Sequence, residues 1–196
     1  MQRIAYANPR FGPVHLLKVD LSDGYYRVPL NSRGALNLAV AMPSIRRLPL
    51  VAIPMVLPMG WLESPPYFCM ATETIADYTN AQPLAPSTPH FQESAAAALD
   101  TPRFYRTTVP FMPPQLTFPQ PLAFVDVYID DFMALAQTKP VATALRRRLL
   151  YNINDVFRAN SLVSDGSEPV RREPISEKKL AQGDAAWKTT ATILGW

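Results

Sequence analysis

Three aspartates, Asp20, Asp130 and Asp131, stand where apolar segments meet turn-forming residues. A buried strand holds its last side chain in a fixed position, so carboxylates at the ends of two adjacent strands can share one ion. Carboxylates that close repel each other unless a cation lies between them, and oxygen ligands favour Mg²⁺, with Mn²⁺ as a second choice. Two such ions about 3.5–4 Å apart stabilise the attacking and leaving oxygens of phosphoryl transfer. The aspartates therefore predict a two-metal site; the alternative is a solvated hairpin turn.

The segments around these aspartates predict strands. Residues 15–20 (HLLKVD) are typical of a short buried strand. Residues 124–129 (FVDVYI) and 132–136 (FMALA) are apolar runs separated only by the Asp-Asp pair. This arrangement predicts a β-hairpin with both carboxylates at its tip. Residues 50–57 (LVAIPMVL) form a further extended apolar run. Residues 164–174 are polar and predict a loop, and residues 190–196 (TATILGW) predict an apolar strand at the C-terminus.

Apolar residues at helical spacing predict two helices. Ser64 is expected to cap the first helix, with Pro65 at its first helical position. The inward residues of this helix are Phe68, Ala71, Ile75 and Tyr78. The second helix follows Pro140, and its inward residues are Val141, Leu145, Leu149, Ile153, Val156 and Phe157. The elements together predict an α+β fold, an antiparallel sheet backed by two helices.

Two charged or proline-rich stretches complicate this outline. Residues 146–148 (RRR) lie within the second helix, so part of its face is expected to be solvated or to contact nucleic-acid phosphates. Residues 79–121 hold nine of the 21 prolines and a run of four alanines. We expect this tract to be a surface insertion, partly polyproline-like, with one helical turn near the alanines. It divides the chain into residues 1–78, 79–121 and 122–196.

Composition narrows the function classes. Cys69 is the only cysteine, and His15 and His90 are the only histidines, which excludes an internal disulfide and argues against a Cys/His zinc site. Apolar runs are interrupted well before eighteen residues and the first residues lack an apolar leader, so we expect an intracellular protein of cytoplasm or nucleus, without a membrane span. The net charge is +3, and basic residues predominate at both ends of the sequence, whereas acidic residues predominate in the middle. This pattern suits a polyanion held on the flanks, or an ordinary mixed surface.

Four motifs in order resemble those of reverse transcriptases. Residues 18–30 (KVDLSDGYYRVPL) resemble the first catalytic motif of that family, and residues 57–68 (LPMGWLESPPYF) resemble its second palm motif. Residues 128–131 (YIDD) match the Tyr-x-Asp-Asp hairpin, and residues 193–196 (ILGW) are similar to the Leu-Gly element of the primer grip. The resemblance implies a polymerase palm from a retrotransposon polyprotein: an RNA-directed DNA polymerase with two Mg²⁺ ions, a dNTP and an RNA or DNA template-primer.

The resemblance also implies residue roles. Asp20 and Asp130 would bind both metals with the carbonyl of Leu21, and Asp131 would be an accessory carboxylate. Gly24 would leave room for the nucleotide, and Tyr25 would be a steric gate against the 2′-hydroxyl. Met59 and Gly60 would line the nucleotide pocket. Lys178 or Lys179 would lie near the leaving pyrophosphate, and Trp196 would lie near the primer end.

Structural alternatives remain for several of these residues. Tyr25 could instead be a core aromatic, Met59 core filler, and Lys178 and Lys179 a solvated pair.

The chain departs from the family pattern in extent. Only 19 residues precede Asp20, so we expect the fingers to be largely missing here, and the thumb and RNase H regions to be encoded in the full-length element. Many reverse transcriptases carry an aromatic residue or Gln at the position that Met59 would take in this resemblance. The alternative function is a non-catalytic nucleic-acid-binding remnant or a decayed, inactive copy.

Overall fold

The computed structural model describes residues 2–45, 48–84, 87–101, 118–162 and 170–189. It is a mixed α+β structure. The helices are α1 (Gln2–Ala5), α2 (Ser32–Asn37), α3 (Ser64–Ala81), α4 (Glu93–Ala97), α5 (Lys139–Val156) and α6 (Glu177–Ala181). The strands are β1 (His15–Asp20), β2 (Val40–Ile45), β3 (Leu48–Ala52), β4 (Ala123–Tyr128), β5 (Asp131–Ala136), β6 (Asn160–Leu162), β7 (Val170–Arg172) and β8 (Trp187–Lys188).

Four antiparallel strands form the central sheet in the order β4-β5-β1-β8. β1 and β5 pair along their whole length, which sets Asp20 opposite Asp131. β4 pairs with the other side of β5, with Tyr128 opposite Asp131. β8 pairs with β1 through Trp187 and Lys188. The prediction of an α+β fold with an antiparallel sheet is confirmed.

The two faces of the sheet differ in burial. Alternate residues of β1 and β5 are buried, as the two-residue period of a strand requires. The buried face includes Leu17, Val19, Phe132, Ala134 and Ala136. Helices α3 and α5 pack together and contact β4 and β5. The opposite face, here called the carboxylate face, carries the half-buried residues Leu16, Lys18, Asp20, Asp131, Met133 and Leu135.

Both long helices form where the apolar spacing predicts them, with three corrections. Tyr78 of α3 does not face inward but is 57% exposed, and the buried position is that of its neighbour Thr79. Glu63 rather than Ser64 is the N-cap of α3, because the Ser64 hydroxyl donates to the carbonyl of Pro58 at 2.7 Å. In α5, Val156 is 47% exposed, because the helix ends there and Phe157 turns inward instead. Within the described ranges, no helix is both long and apolar enough to cross a membrane.

The expected solvation of the arginine triplet in α5 is wrong. Arg146 is 3% exposed and its guanidinium lies 2.7 Å from Asp100. Arg147 pairs with Glu93, also at 2.7 Å. Arg148 donates to the carbonyl of Thr79 at 3.2 Å and to those of the residues that follow α3. These partners lie far away in the sequence, so the helix pattern alone could not reveal them.

The tract expected to be a surface insertion is partly built into the core. α3 extends beyond residue 78 to Ala81, and α4 supplies the helical turn predicted near the alanines. Buried residues described in this tract are Thr79, His90, Gln92, Glu93 and Ala96. The Asp100 carboxylate accepts a hydrogen bond from the Trp187 amide at 2.8 Å, and the Thr101 amide donates one to the Trp187 carbonyl at 3.1 Å. The tract therefore pairs with the outer edge of β8, which would otherwise expose unpaired backbone groups.

Two further expectations need correction. In the apolar run at 50–57, only the residues up to Ala52 belong to a strand, which is β3 paired with β2. Val51 in this strand is 62% exposed. The polar stretch 164–174 was expected to be a loop, yet it contains β7, which pairs with β6. The apolar C-terminal strand expected at 190–196 lies outside the described residues.

Candidate active site

The tip of the β4–β5 hairpin is a two-residue turn made of Ile129 and Asp130. Asp131 is already the first residue of β5, so the prediction that both aspartates form the tip is wrong by one residue. Ile129 has a φ of +57°. A positive φ at the first turn residue suits the strand twist, but in a β-branched residue it costs about 1–3 kcal/mol. The surrounding structure must fix this turn, and with it the position of Asp130.

Strand β1 brings Asp20 to the same end of the sheet. Asp20 lies directly opposite Asp131, and side chains of opposed antiparallel residues share a face. The amide of Leu21 donates to the carbonyl of Asp130 at 3.4 Å. Leu21 is itself buried and bridges to Ile175. The backbones of the three aspartates therefore lie next to one another at one end of the sheet.

Lysines hold two of these carboxylates. The Lys18 ammonium lies 3.0 Å from Asp131 Oδ1, and the Lys179 ammonium contacts Asp20 Oδ2. Of the two lysines considered from the sequence, Lys179 reaches the aspartates, whereas Lys178 is exposed. No ion pair of Asp130 is found in the part of the chain that the structure describes.

Sequence reasoning missed Lys18. Its position two residues before Asp20 could have identified it, because alternate residues of one strand share a face.

Sequence reasoning also missed Asp184. Its carboxylate accepts the backbone amide of Asp20 at 3.2 Å. Burial raises the pKa of Asp184, and the charges of Lys179, Lys18 and Lys188 oppose this shift without cancelling it. Asp184 lies in a turn between α6 and β8 with no recognisable motif, so no signal in the sequence pointed to it.

Arg27 fixes the loop that follows Asp20. The guanidinium is 8% exposed and donates to the carbonyls of Ser22 and Glu173, each at 2.5 Å. Burial lowers the pKa of Arg27, although Asp23 and Glu173 oppose the change. These bonds tie the loop to the segment after β7, so the residues between Asp20 and Arg27 have a defined position.

Gly24 and Tyr25 lie beside Asp130. The Tyr25 ring packs on Phe68 of α3, with ring centroids 4.8 Å apart. Burial, with smaller contributions from Cys69 and Asp130, raises the pKa of the Tyr25 hydroxyl, which keeps it protonated. A Cβ added at Gly24 would lie 3.6 Å from Phe68 and 3.9 Å from the Asp130 carboxylate. These are ordinary contacts, so Gly24 leaves a methyl-sized space next to Asp130.

Met59 and Gly60 form the turn before α3. The amide of Trp61 donates to the carbonyl of Pro58 at 3.4 Å, and Gly60 has a φ of +91°. A positive φ at the third residue of such a turn favours glycine. Met59 is 69% exposed, which rules out the core-filler alternative. This turn leads into α3, and Phe68 of α3 contacts Tyr25, which lies beside Asp130.

The donor atoms of this site suit a hard divalent cation. Asp20, Asp130 and Asp131 offer carboxylate oxygens, the ligands that Mg²⁺ and Mn²⁺ prefer. In the described ranges, no three His, Cys, Asp or Glu side chains are grouped tightly enough to enclose a metal. The site therefore offers donor atoms of the right kind, and two of its carboxylates, Asp20 and Asp131, are paired with lysine ammonium groups. Trp196 and the Leu-Gly element lie outside the described residues.

Comparison with known proteins leaves this chain without an assigned family. No protein-family model matches it, and no curated protein matches it. The functional argument therefore depends on the geometry of the residues described above and on the motifs that resemble those of reverse transcriptases.

Proposed function

We propose that this chain is the palm of a reverse transcriptase-like enzyme, an RNA-directed DNA polymerase encoded in a retrotransposon polyprotein. It adds a dNTP to the 3′-hydroxyl of a primer on an RNA or DNA template. One observation carries the proposal: Asp20 at the end of β1 lies opposite Asp131, beside the hairpin turn that holds Asp130. A four-stranded antiparallel sheet with two helices on one face supports a palm-like fold.

The aspartates have distinct roles in this proposal. Asp20 and Asp130 would hold two Mg²⁺ ions, with the Leu21 carbonyl, and Asp131 is an accessory carboxylate that Lys18 keeps in place. When bound, the metals stabilise charge on the attacking and leaving oxygens of phosphoryl transfer. Lys179 contributes a positive charge beside Asp20, suited to the leaving pyrophosphate.

The nucleotide would bind on the Gly24 side of the hairpin. The absence of a side chain at Gly24 would keep the surface beside Asp130 open to the nucleotide, and the Tyr25 ring, which packs on Phe68, would block a 2′-hydroxyl. Met59 and Gly60 would line the pocket from the turn before α3. Trp196 would contact the primer end.

Primer extension tests this proposal. The assay uses the purified chain, a primed RNA template, dNTPs and Mg²⁺. We expect Asp130→Ala to lose about 100-fold or more of the wild-type activity, since removal of a metal ligand costs several kcal/mol of transition-state stabilisation.

The matched control for this assay is Asp126→Ala, an exposed aspartate of β4 in the same hairpin. We expect it to retain activity. Equal activity of the wild type and Asp130→Ala, with equal melting temperatures, would exclude the proposed mechanism.

A non-catalytic nucleic-acid-binding remnant is the second candidate. The basic residues concentrated at both ends of the sequence favour it, because positive charge attracts a polyanion. Such a protein would bind nucleic acid with a strong salt dependence. Its affinity would be indifferent to Mg²⁺ and to Asp20→Asn, which filter binding at several salt concentrations measures.

A further inference from the structure

Strand β8 ends just before it would reach Asp20. Its pairing with β1 sets Trp187 opposite Leu17 and Lys188 opposite Leu16. The same antiparallel register, continued, would place Asp184 opposite Asp20. The chain leaves the strand before that point, because Ala185 has a φ of +58° and donates its amide to the carbonyl of Lys18 at 2.7 Å.

The Asp184 side chain takes the place of the missing strand backbone. Its Oδ2 accepts the amide of Asp20 at 3.2 Å, where a longer β8 would have offered a main-chain carbonyl. A carboxylate is a stronger acceptor than a peptide carbonyl. The backbone amide of Asp20 is thus held by Asp184 on the side away from β5, and the next amide, that of Leu21, is held by the Asp130 carbonyl on the β5 side.

Asp184 also faces the lysines of the site. Lys179 and Lys18, which hold Asp20 and Asp131, act on the Asp184 carboxylate together with Lys188. Lys188 folds over Gly183, where an added Cβ would lie 2.7 Å from its ammonium nitrogen. Gly183 has a φ of +100°, so both its conformation and this contact favour glycine. The turn is shaped to bring an acidic group among three ammonium groups.

We propose that Asp184 is a positioning residue for Asp20. It fixes the Asp20 backbone through the amide, and it receives the lysine ammonium groups when the Asp20 and Asp131 carboxylates engage a divalent cation. The part of this role that concerns metal binding depends on the proposed polymerase function. The amide contact itself is independent of that function.

Two variants separate the two parts of this role. Asp184→Asn keeps an acceptor oxygen but removes the charge, whereas Asp184→Ala removes both. The control is Asp155→Asn, an exposed aspartate in the last turn of α5. The measurements are the hydrogen-exchange rate of the Asp20 amide without metal, and the Mg²⁺ midpoint from NMR shifts of the same folded chain.

In Asp184→Ala we expect the Asp20 amide to exchange at least about tenfold faster and the Mg²⁺ midpoint to rise about tenfold, as for other outer-shell contacts to metal ligands. Asp184→Asn should keep the slow exchange yet still raise the midpoint. A merely structural role would lower the melting temperature and leave the Mg²⁺ midpoint of the folded chain unchanged.

Unchanged exchange and an unchanged midpoint in Asp184→Ala would overturn the proposal. A wild type without any Mg²⁺ response would instead contradict the polymerase function. The Asp20 exchange rate would then still decide for or against the positioning contact.

Discussion

The chain contains two charge clusters that are built in different ways. On the carboxylate face, Lys18 and Lys179 each hold one aspartate through an ammonium group, and these lysine side chains are 31% and 39% exposed. Between α4 and α5, Arg147 holds Glu93 through two hydrogen bonds of 2.7 and 3.0 Å, and Glu93 is 7% exposed. A hydrated ammonium is readily exchanged for another cation, whereas a bidentate guanidinium fixes geometry. The first cluster is suited to binding, and the second to holding α4 on α5.

A buried histidine extends the second cluster. His90 Nδ1 accepts a hydrogen bond from the amide of Gln92 at 3.2 Å, and His90 Nε2 lies 3.1 Å from the nitrogen of the Asn154 side chain. The His90 ring also packs edge-on against Tyr151, with centroids 4.8 Å apart. Burial would raise the pKa of Glu93, but the hydrogen bonds and charge of Arg147 outweigh it and lower that pKa. This cluster is closed by its own partners.

The largest loss of stability should come from removing the ion pair of the second cluster. In Arg147→Met, the buried Glu93 carboxylate loses its partner, and removal of one member of a buried pair costs about 3 kcal/mol or more. Urea denaturation measures the free energy of unfolding. Arg158→Met, at an exposed side chain after α5, is the control and should change it little. A loss below about 1 kcal/mol in Arg147→Met would mean that this pair behaves like a surface pair.

The second effect is a dependence on pH. Burial lowers the pKa of His90 below its usual 6.5, although Glu93, Glu173 and Asp155 oppose the shift. As the pH falls through 6.5, the unfolded chain binds a proton that folded His90 rejects. Stability is therefore full above pH 6.5 and declines below it, by at most about 1.4 kcal/mol per pH unit for one group.

The measurement for this prediction is the unfolding free energy of the wild type and of His90→Gln between pH 7.5 and 5, where the variant should show a shallower decline. His15, whose pKa burial also lowers, is present in both proteins and cancels in the comparison. Parallel curves would contradict the prediction.

The smallest effect should come from the first cluster. In Lys18→Met, the half-exposed pair with Asp131 is lost, and such pairs contribute less than about 1 kcal/mol. The same urea experiment applies. The Asp131 side chain is 16% exposed, so water can partly solvate its charge after the change. A loss as large as that of Arg147→Met would abolish the distinction between the clusters.

Features of this structure that depend on residues close together in the sequence could be predicted, whereas features that depend on distant residues could not. Strand β1, the β4–β5 hairpin and helices α3 and α5 follow from apolar spacing, which is a local property. The turn position within the hairpin was missed by one residue, because Ile129 adopts a φ that its side chain disfavours. The role of residues 87–101 was missed because its partners on α5 and β8 are distant in the sequence.

The sequence by itself determined that aspartates stand at strand ends, since a strand that ends in a carboxylate is visible in consecutive residues. Only the tertiary structure decided that Asp20 faces Asp131, that Lys179 rather than Lys178 reaches them, and that Asp184 accepts the Asp20 amide. The reason is physical: strand pairing and ion pairs join residues that chain connectivity leaves far apart, and no local pattern encodes which distant partner completes them.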